Sequence, residues 1–382
     1  MLHNLDDRIK AFVQAKLFEG KHTPFIVLDI ARIKRNYEEF TKNFPAIIPH
    51  YALKANPHPE IIKAIIELNG SFDAASFEEI SAILALNGSP EKILFANPVK
   101  KQRDVERAIA AGVDFFTFDS VEELKKINAI AARFDKRARL LIRLWVPNYG
   151  SVVDLSSKFG ADDAAVTEIL HSAKNLQHID ILGVAFHVGS QCLNPANFSK
   201  AFDIAKAQMA KAVELGFEMK YLDVGGGVPV NYTLEISYQQ EIVETLQSLC
   251  KSIPADIQLI AEPGRNISAT ACTLVTSIIL RTEKRNKVFY YIDDSIYQTF
   301  SGKVFDFTDY QFFPLERDAV PGSEVVIAGA TCDGHDIIKR DALLPPDLAE
   351  GDILYVPNVG AYTSASASHF NGFEPPEIFA IY

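Results

Sequence analysis

The alternation of short apolar runs with amphipathic segments constrains this 382-residue chain more than any single motif does. Eight such runs follow one another: IIPHYALK (47–54), GSFDAAS (70–76), KILFANP (92–98), DFFTFDS (114–120), RLLIRLW (139–145), ILGVAFHVG (181–189), KYLDVGGG (220–227) and IQLIAEPG (257–264). Between them lie stretches such as PEIIKAIIELNG, FEEISAILALNG, KQRDVERAIAAG, VEELKKINAIAARF and FSKAFDIAKAQMAKAVELG, which read as amphipathic helices. Several close on Gly, the usual residue just past a helix C-terminus. Asp29 is placed to cap a further helix, ARIKRNYEEF. Eight strand–helix units in a row predict an α/β chain built on a (β/α)8, TIM-like barrel. After about residue 266 the texture changes to TACTLVTSIILRT, NKVFYYIDDS, SEVVIAGATC and GDILYVPNVG, β-rich runs separated by Pro, Gly and Asp. These predict a mostly antiparallel β-domain. The expected boundaries are 28–266 for the barrel and 1–27 with 267–382 for the β-domain.

A barrel of this kind carries its chemistry at the C-terminal ends of its strands. In order, those ends hold Lys54, Asp73 with Ser76, Asn97, Asp119, Arg143, His187 with Ser190, Gly225-Gly226-Gly227, and Glu262-Pro263-Gly264-Arg265. Each alone has a bland reading: a surface lysine, a satisfied histidine, a glycine loop, half of an ion pair. Eight coincident placements argue for a site. A lysine at a strand end, partly desolvated, can lose its proton and form a Schiff base with an aldehyde cofactor. Three glycines expose backbone N–H groups without Cβ obstruction, which suits a phosphate. A carboxylate such as Glu262 keeps a pyridine nitrogen protonated, and the pyridinium ring then withdraws electrons from a carbanion. Lysine, phosphate cradle and acidic partner together point to pyridoxal 5'-phosphate.

Composition narrows the partners. A formal net charge of −11 argues against nucleic acid and anionic membrane. No apolar run approaches the length of a membrane span. The N-terminus MLHNLDDRIK has no apolar core and does not read as a signal peptide. Cys192, Cys250, Cys272 and Cys332 have neither metal-ligand nor disulfide-framework spacing, so no metal is expected and a reducing cytoplasm is the default.

The motifs LKANP, FDAASFEEI, AFHVGSQC, LDVGGGVP, AEPGR, CDGHD, VGAYT and FNGF, in this order, resemble the barrel-type pyridoxal phosphate-dependent ornithine/lysine/arginine/diaminopimelate decarboxylases. The ornithine decarboxylase branch is the most similar, and the motifs run from about residue 25 to the C-terminus. The resemblance implies roles at matching positions. Lys54 would hold the cofactor, Glu262 would pair with the pyridine nitrogen, and His187 would stack on the ring. Ser190, Gly225, Gly226, Gly227, Gly264, Arg265 and Tyr362 would bind the phosphate. Asp73, Glu79 and Arg143 would form a polar network around Lys54. Cys332, the expected proton donor, and Asp333 would enter the site from the partner subunit of a head-to-tail homodimer. Asp306 and Asp333 would hold the distal ammonium of a diamino acid.

Two departures bear on substrate length. The family often has Gly-Pro-Thr where this chain has Gly329-Ala330-Thr331, and Tyr-Asp-His where it has Phe305-Asp306-Phe307. Lysine decarboxylation, alone or with ornithine, is the alternative activity. A diaminopimelate decarboxylase would need a cation for the distal carboxylate and usually shows Cys-Glu where this chain has Cys332-Asp333. An alanine-racemase-like enzyme would use an arginine in place of Glu262. A non-catalytic regulator of the antizyme-inhibitor type would have lost residues that this chain keeps.

Overall fold

The computed structural model describes residues 5–148, 150–153, 155–232, 239–317 and 322–382. They divide into two compact units, one drawn from Asn36–Val230 and the chain ending at Asn266, the other mainly from the chain before Asn36 and Ile267–Tyr382.

In the first unit eight strands close into a barrel. They are Ile47–Ala52, Ser71–Ala74, Ile93–Phe95, Phe115–Phe118, Ala138–Arg143, Ile179–Ala185, Tyr221–Asp223 and Gln258–Ala261. Every pairing between neighbours is parallel. Parallel strands covered on both faces are apolar almost throughout, which is why the runs were visible. Leu94, Ala96, Phe115, Leu141, Ala185 and Ile260 pack together as part of the core. The strands are shorter at their C-terminal ends than the sequence runs. The ladder nevertheless continues into the loops: Phe186 donates its N–H to Asp223 O at 3.0 Å, and Glu262 to Gly225 O at 2.8 Å. The polar stations are therefore held by strand-like hydrogen bonds just beyond the strands.

Short polar side chains start the helices, Asp29 among them as expected. Ser76 accepts the Glu79 N–H at 3.2 Å and Asp162 the Ala165 N–H at 2.9 Å. Arg32 N–H reaches Asp29 Oδ1 at 3.1 Å, at the head of the helix Ile30–Asn43. Their ends differ from expectation in the two Leu-Asn-Gly segments. There the left-handed residue is asparagine, Asn69 (φ 57°) and Asn87 (φ 65°). Gly70 and Gly88 follow for a packing reason, since a Cβ would come within 2.6 Å of Ile65 Cγ2 and 2.3 Å of Ile83 Cγ2.

The second unit is an eight-stranded mixed sheet. Cys272–Lys284 pairs antiparallel with Phe25–Asp29, Lys287–Ile292 and Ile353–Pro357. Two pairings are parallel, Phe25–Asp29 with Glu377–Ile381 and Lys287–Ile292 with Ser323–Ala328. Phe25, Val27, Val275, Leu315 and Tyr355 are buried together beneath the helix Asp7–Phe18. Among the described residues, no helix is long and apolar enough to cross a membrane.

Candidate active site

Lys54 lies in a 3-10 turn, Leu53–Ala55, directly after the first barrel strand. Its Nζ is 2.7 Å from Asp73 Oδ2, on the neighbouring strand, where Ala52 and Asp73 are in register. The Lys54 side chain is 40% exposed, while that of Asp73 is 1% exposed. The ion pair with a buried carboxylate orients the amine. Asp73 Oδ1 is buried and meets no hydrogen-bond partner among the described residues.

Glu79 belongs to the same corner. Its Oε2 accepts the Ala75 N–H at 2.6 Å while its own N–H is bound by Ser76, a reciprocal cap that fixes the turn after Asp73. Burial, and the charge of Asp73 after it, push Glu79 up to about 7. Two other strand-end stations prove to be loop braces. Asn97 donates to Ala75 O at 3.2 Å, and Asp119 Oδ2 accepts the Gly160 N–H at 2.9 Å.

The late strands bring the remaining barrel residues together. His187 Nδ1 accepts the Gly189 N–H at 3.0 Å, which leaves the ring proton on Nε2. Burial, reinforced by Arg143 and Lys54, holds its cationic form well below the ordinary range, so the ring is neutral. Arg143, half-buried, also lies over the Phe159 ring at 4.9 Å. Gly226 is the glycine with the clearest steric reason. A Cβ there would lie 2.9 Å from His187 Nε2 and 2.8 Å from Glu262 O. Gly225 (φ 67°) and Gly227 (φ 100°) take the left-handed backbone that lets the loop double back. Gly225 N–H is already used, donating to Asp223 Oδ1 at 2.9 Å. Beside the buried Gly264, Arg265 is buried and its Nη2 donates to Ser190 Oγ at 2.9 Å.

Glu262 is buried, and burial, with Asp73 and Asp223 after it, pushes its carboxyl well above the carboxylate range against Lys54 and Arg143. Asp223 was not singled out from the sequence. It is fully buried, and burial pushes it up to about 6. Its signal was present, an acid at the C-terminal end of a strand as Asp73 nearly is, but the three glycines beside it drew the reading.

In the second unit Cys332 is exposed and its N–H donates to Asn371 Oδ1 at 3.1 Å. Asp333 Oδ1 accepts the His335 N–H at 3.0 Å and lies 3.1 Å from His335 Nδ1, while Oδ2 accepts the Tyr297 hydroxyl. The His335 N–H, the Tyr297 hydroxyl and the His335 ring hold its carboxyl down at about 2. Tyr297 stacks on Phe370, 4.0 Å between ring centroids at 23°. Tyr297, Phe370 and Asn371 were not named from the sequence, because their grouping joins three distant segments. The loop before Cys332 is built on Asp336, whose carboxylate accepts Thr331 N–H at 3.1 Å, Thr331 Oγ1 at 2.6 Å and Ile296 N–H at 3.0 Å. Asp306 is buried at the end of the short helix Gly302–Phe305 and receives Thr308 Oγ1 at 3.4 Å, between the exposed Phe305 and Phe307. Tyr362 is half-buried with φ 56°.

A lysine paired to a buried acid, a neutral histidine and a high-lying glutamate at one barrel end is a constellation for carbonyl and pyridine chemistry. Residues 30–269 match the family model of the pyridoxal-dependent decarboxylases, pyridoxal binding domain. The chain belongs to the pyridoxal-dependent decarboxylases. It is 35% identical to the ornithine decarboxylase of Panagrellus redivivus over 97% of this chain and 88% of that one. It is 34% identical to antizyme inhibitor 2 of Xenopus laevis over 92% and 79% of the two chains. It also superposes on the lysine/ornithine decarboxylase complexed with putrescine from Vibrio vulnificus, with a TM-score of 0.88, 32% identity and 99% of both chains covered. The family's cofactor fits the residues of this site. The buried Asp73 Oδ1 awaits a partner, and the absent Cβ of Gly226 leaves room beside His187 and Glu262.

Proposed function

We propose that this chain decarboxylates basic L-amino acids with pyridoxal phosphate, L-ornithine to putrescine ahead of L-lysine to cadaverine. The observation that carries this reading is the Lys54–Asp73 ion pair in the same barrel as the high-lying Glu262. Lys54 supplies the amine that holds the cofactor covalently, and Asp73 keeps that amine oriented. Glu262 would pair with the pyridine nitrogen, and the neutral His187 would stack on the ring. Ser190 and Arg265, already hydrogen-bonded to each other, would bind the phosphate with Gly225–Gly227 and Gly264, and the family resemblance adds Tyr362. When bound, the cofactor supplies an electron sink for the charge left at the α-carbon as CO2 departs.

Cys332 then moves a proton from Sγ to that carbon. Asp333, ionised down to about pH 2, and Asp306 take the substrate's distal ammonium in a charge-assisted contact. Cys332 and Asp333 serve the partner's barrel in an isologous homodimer with two shared sites. Unlike a non-catalytic antizyme inhibitor, the chain retains Lys54, Asp73, His187, Glu262 and Cys332 together. Such an enzyme would act in the cytoplasm at the head of polyamine synthesis.

The test is the rate of CO2 release by the purified protein with added pyridoxal phosphate on ornithine, lysine, arginine and diaminopimelate. Ornithine should lead, with lysine next. Diaminopimelate as best substrate, or no turnover of any of the four, would overturn the reading.

A further inference from the structure

Five charged groups act on one another at one end of the barrel: the acids Asp73, Asp223 and Glu262, and the cations Lys54 and Arg143. His187 adds no charge, because its Nδ1 is an acceptor and burial disfavours its cation. Asp73, Asp223 and Glu262 are 1%, 0% and 8% exposed. Glu79 acts on Asp73 and Lys54 beside them, and Arg265 is buried three residues after Glu262; four acids against three cations leave a negative charge in excess, and a buried uncompensated charge is costly.

The backbone shows where the excess is resolved. Asp223 ends the seventh strand in register with Ile260 on the eighth, two residues before Glu262. Gly225 bridges the two acids: its N–H goes to Asp223 Oδ1 at 2.9 Å, and its carbonyl accepts the Glu262 N–H at 2.8 Å. Asp223 Oδ2 is buried, and no N–H or O–H of the described residues meets it. The side chain within hydrogen-bonding reach of Asp223 is the Glu262 carboxyl. It becomes a donor only when it carries a proton.

We propose that Asp223 and Glu262 share one proton in the cofactor-free barrel, and that this proton holds the place of the ring N–H that Glu262 faces when the cofactor is bound. The inference rests on the reading of Glu262 given above. On cofactor entry the carboxyl O–H bond breaks. The proton passes to the ring nitrogen if the ring arrives neutral, or to solvent if it arrives already protonated. Either way both acids are then ionised, and the ring nitrogen contributes the missing positive charge. Asp223 is thereby a positioning residue that acts through Glu262 and Gly225.

Difference infrared spectroscopy at pH 8 tests this, above the values of about 7 that Glu79 and Asp294 reach, so those acids contribute little. Cofactor-free wild-type protein should show the carbonyl stretch of a protonated carboxyl that pyridoxal phosphate abolishes. Glu262→Gln and Asp223→Asn should lack it. Asp223→Asn retains an oxygen acceptor for the Gly225 N–H, and circular dichroism checks its fold; if it does not fold, the Glu262→Gln spectrum alone decides. In a second measurement, cofactor binding to Asp223→Asn should take up one proton more than binding to wild type. The ratio of the two Kd values then changes about tenfold per pH unit. No such band in the cofactor-free wild type, a band that persists in Glu262→Gln, or equal proton uptake by both proteins overturns the proposal. A band in a protein that binds no pyridoxal phosphate supports the shared proton and overturns the cofactor reading instead.

Discussion

Asp223 in the barrel and Asp333 in the β-unit are the same side chain under opposite forces. Asp223 is pushed up to about 6 because burial removes the water its charge needs. Asp333 is held at about 2 because the His335 N–H, the Tyr297 hydroxyl and the His335 ring solvate its charge locally. The acids of the barrel end are buried, with oxygens on Asp73 and Asp223 that no donor of the described residues meets. The cluster around Cys332 is wet and satisfied within itself. The first arrangement suits a permanent ligand that brings its own donors. The second suits a ready anion for a substrate that comes and goes. Which force dominates, desolvation or hydrogen bonding to the charged form, decides what each carboxylate can do.

The sharpest way to break this comparison is to remove the barrel amine. Lys54→Ala should abolish the visible absorbance of the cofactor–lysine linkage and cut decarboxylation at least about a thousandfold. Turnover within tenfold of wild type would show that the chemistry lies elsewhere. Removing the thiol of the surface cluster should act on rate alone. Cys332→Ala is expected to lower kcat about 10²- to 10⁴-fold, as loss of a proton donor does, with cofactor affinity unchanged. Mixing Lys54→Ala with Cys332→Ala subunits should restore part of the activity, since a mixed dimer of the proposed kind would hold one intact site. No recovery after verified subunit exchange would argue for sites built within one chain.

Asp306→Asn should raise KM for ornithine by tens- to thousands-fold, corresponding to about 2–5 kcal/mol for losing one partner of a buried charged contact. Cofactor absorbance should not change; unaltered ornithine kinetics would remove Asp306 from the pocket.

The smallest expected effect is on stability, at a buried acid of the β-unit. Burial pushes Asp294 up to about 7. The folded state therefore holds more protons than the unfolded chain between about pH 4 and pH 7. Its contribution to stability is full below the unfolded value and is lost as pH rises through 7. Asp294→Asn, which keeps an acceptor for the Ser295 and Thr299 N–H groups, should flatten Tm over this window. It should melt a few degrees above wild type at pH 8. A variant less stable than wild type at pH 8 would mean that Asp294 is ionised in the fold at no cost.

The sequence by itself determined the order of elements. The eight barrel strands were legible because parallel strands buried on both faces are apolar almost throughout, and the helices because their apolar residues recur on one face and a cap such as Asp29 acts within three residues. The strand-end positions of Asp73, His187 and Glu262 followed from the same local pattern. Substrate length was not legible, because Phe305 and Phe307 say nothing of the depth of Asp306 until the short helix before them is folded. Only the tertiary structure decided how closely Lys54 is paired to Asp73, that Asp223 belongs with Glu262, and that Tyr297, Phe370 and Asn371 brace the Cys332 loop. Protonation and pairing are through-space quantities, set by burial and by charges far apart in the chain, and no local pattern of residues encodes them.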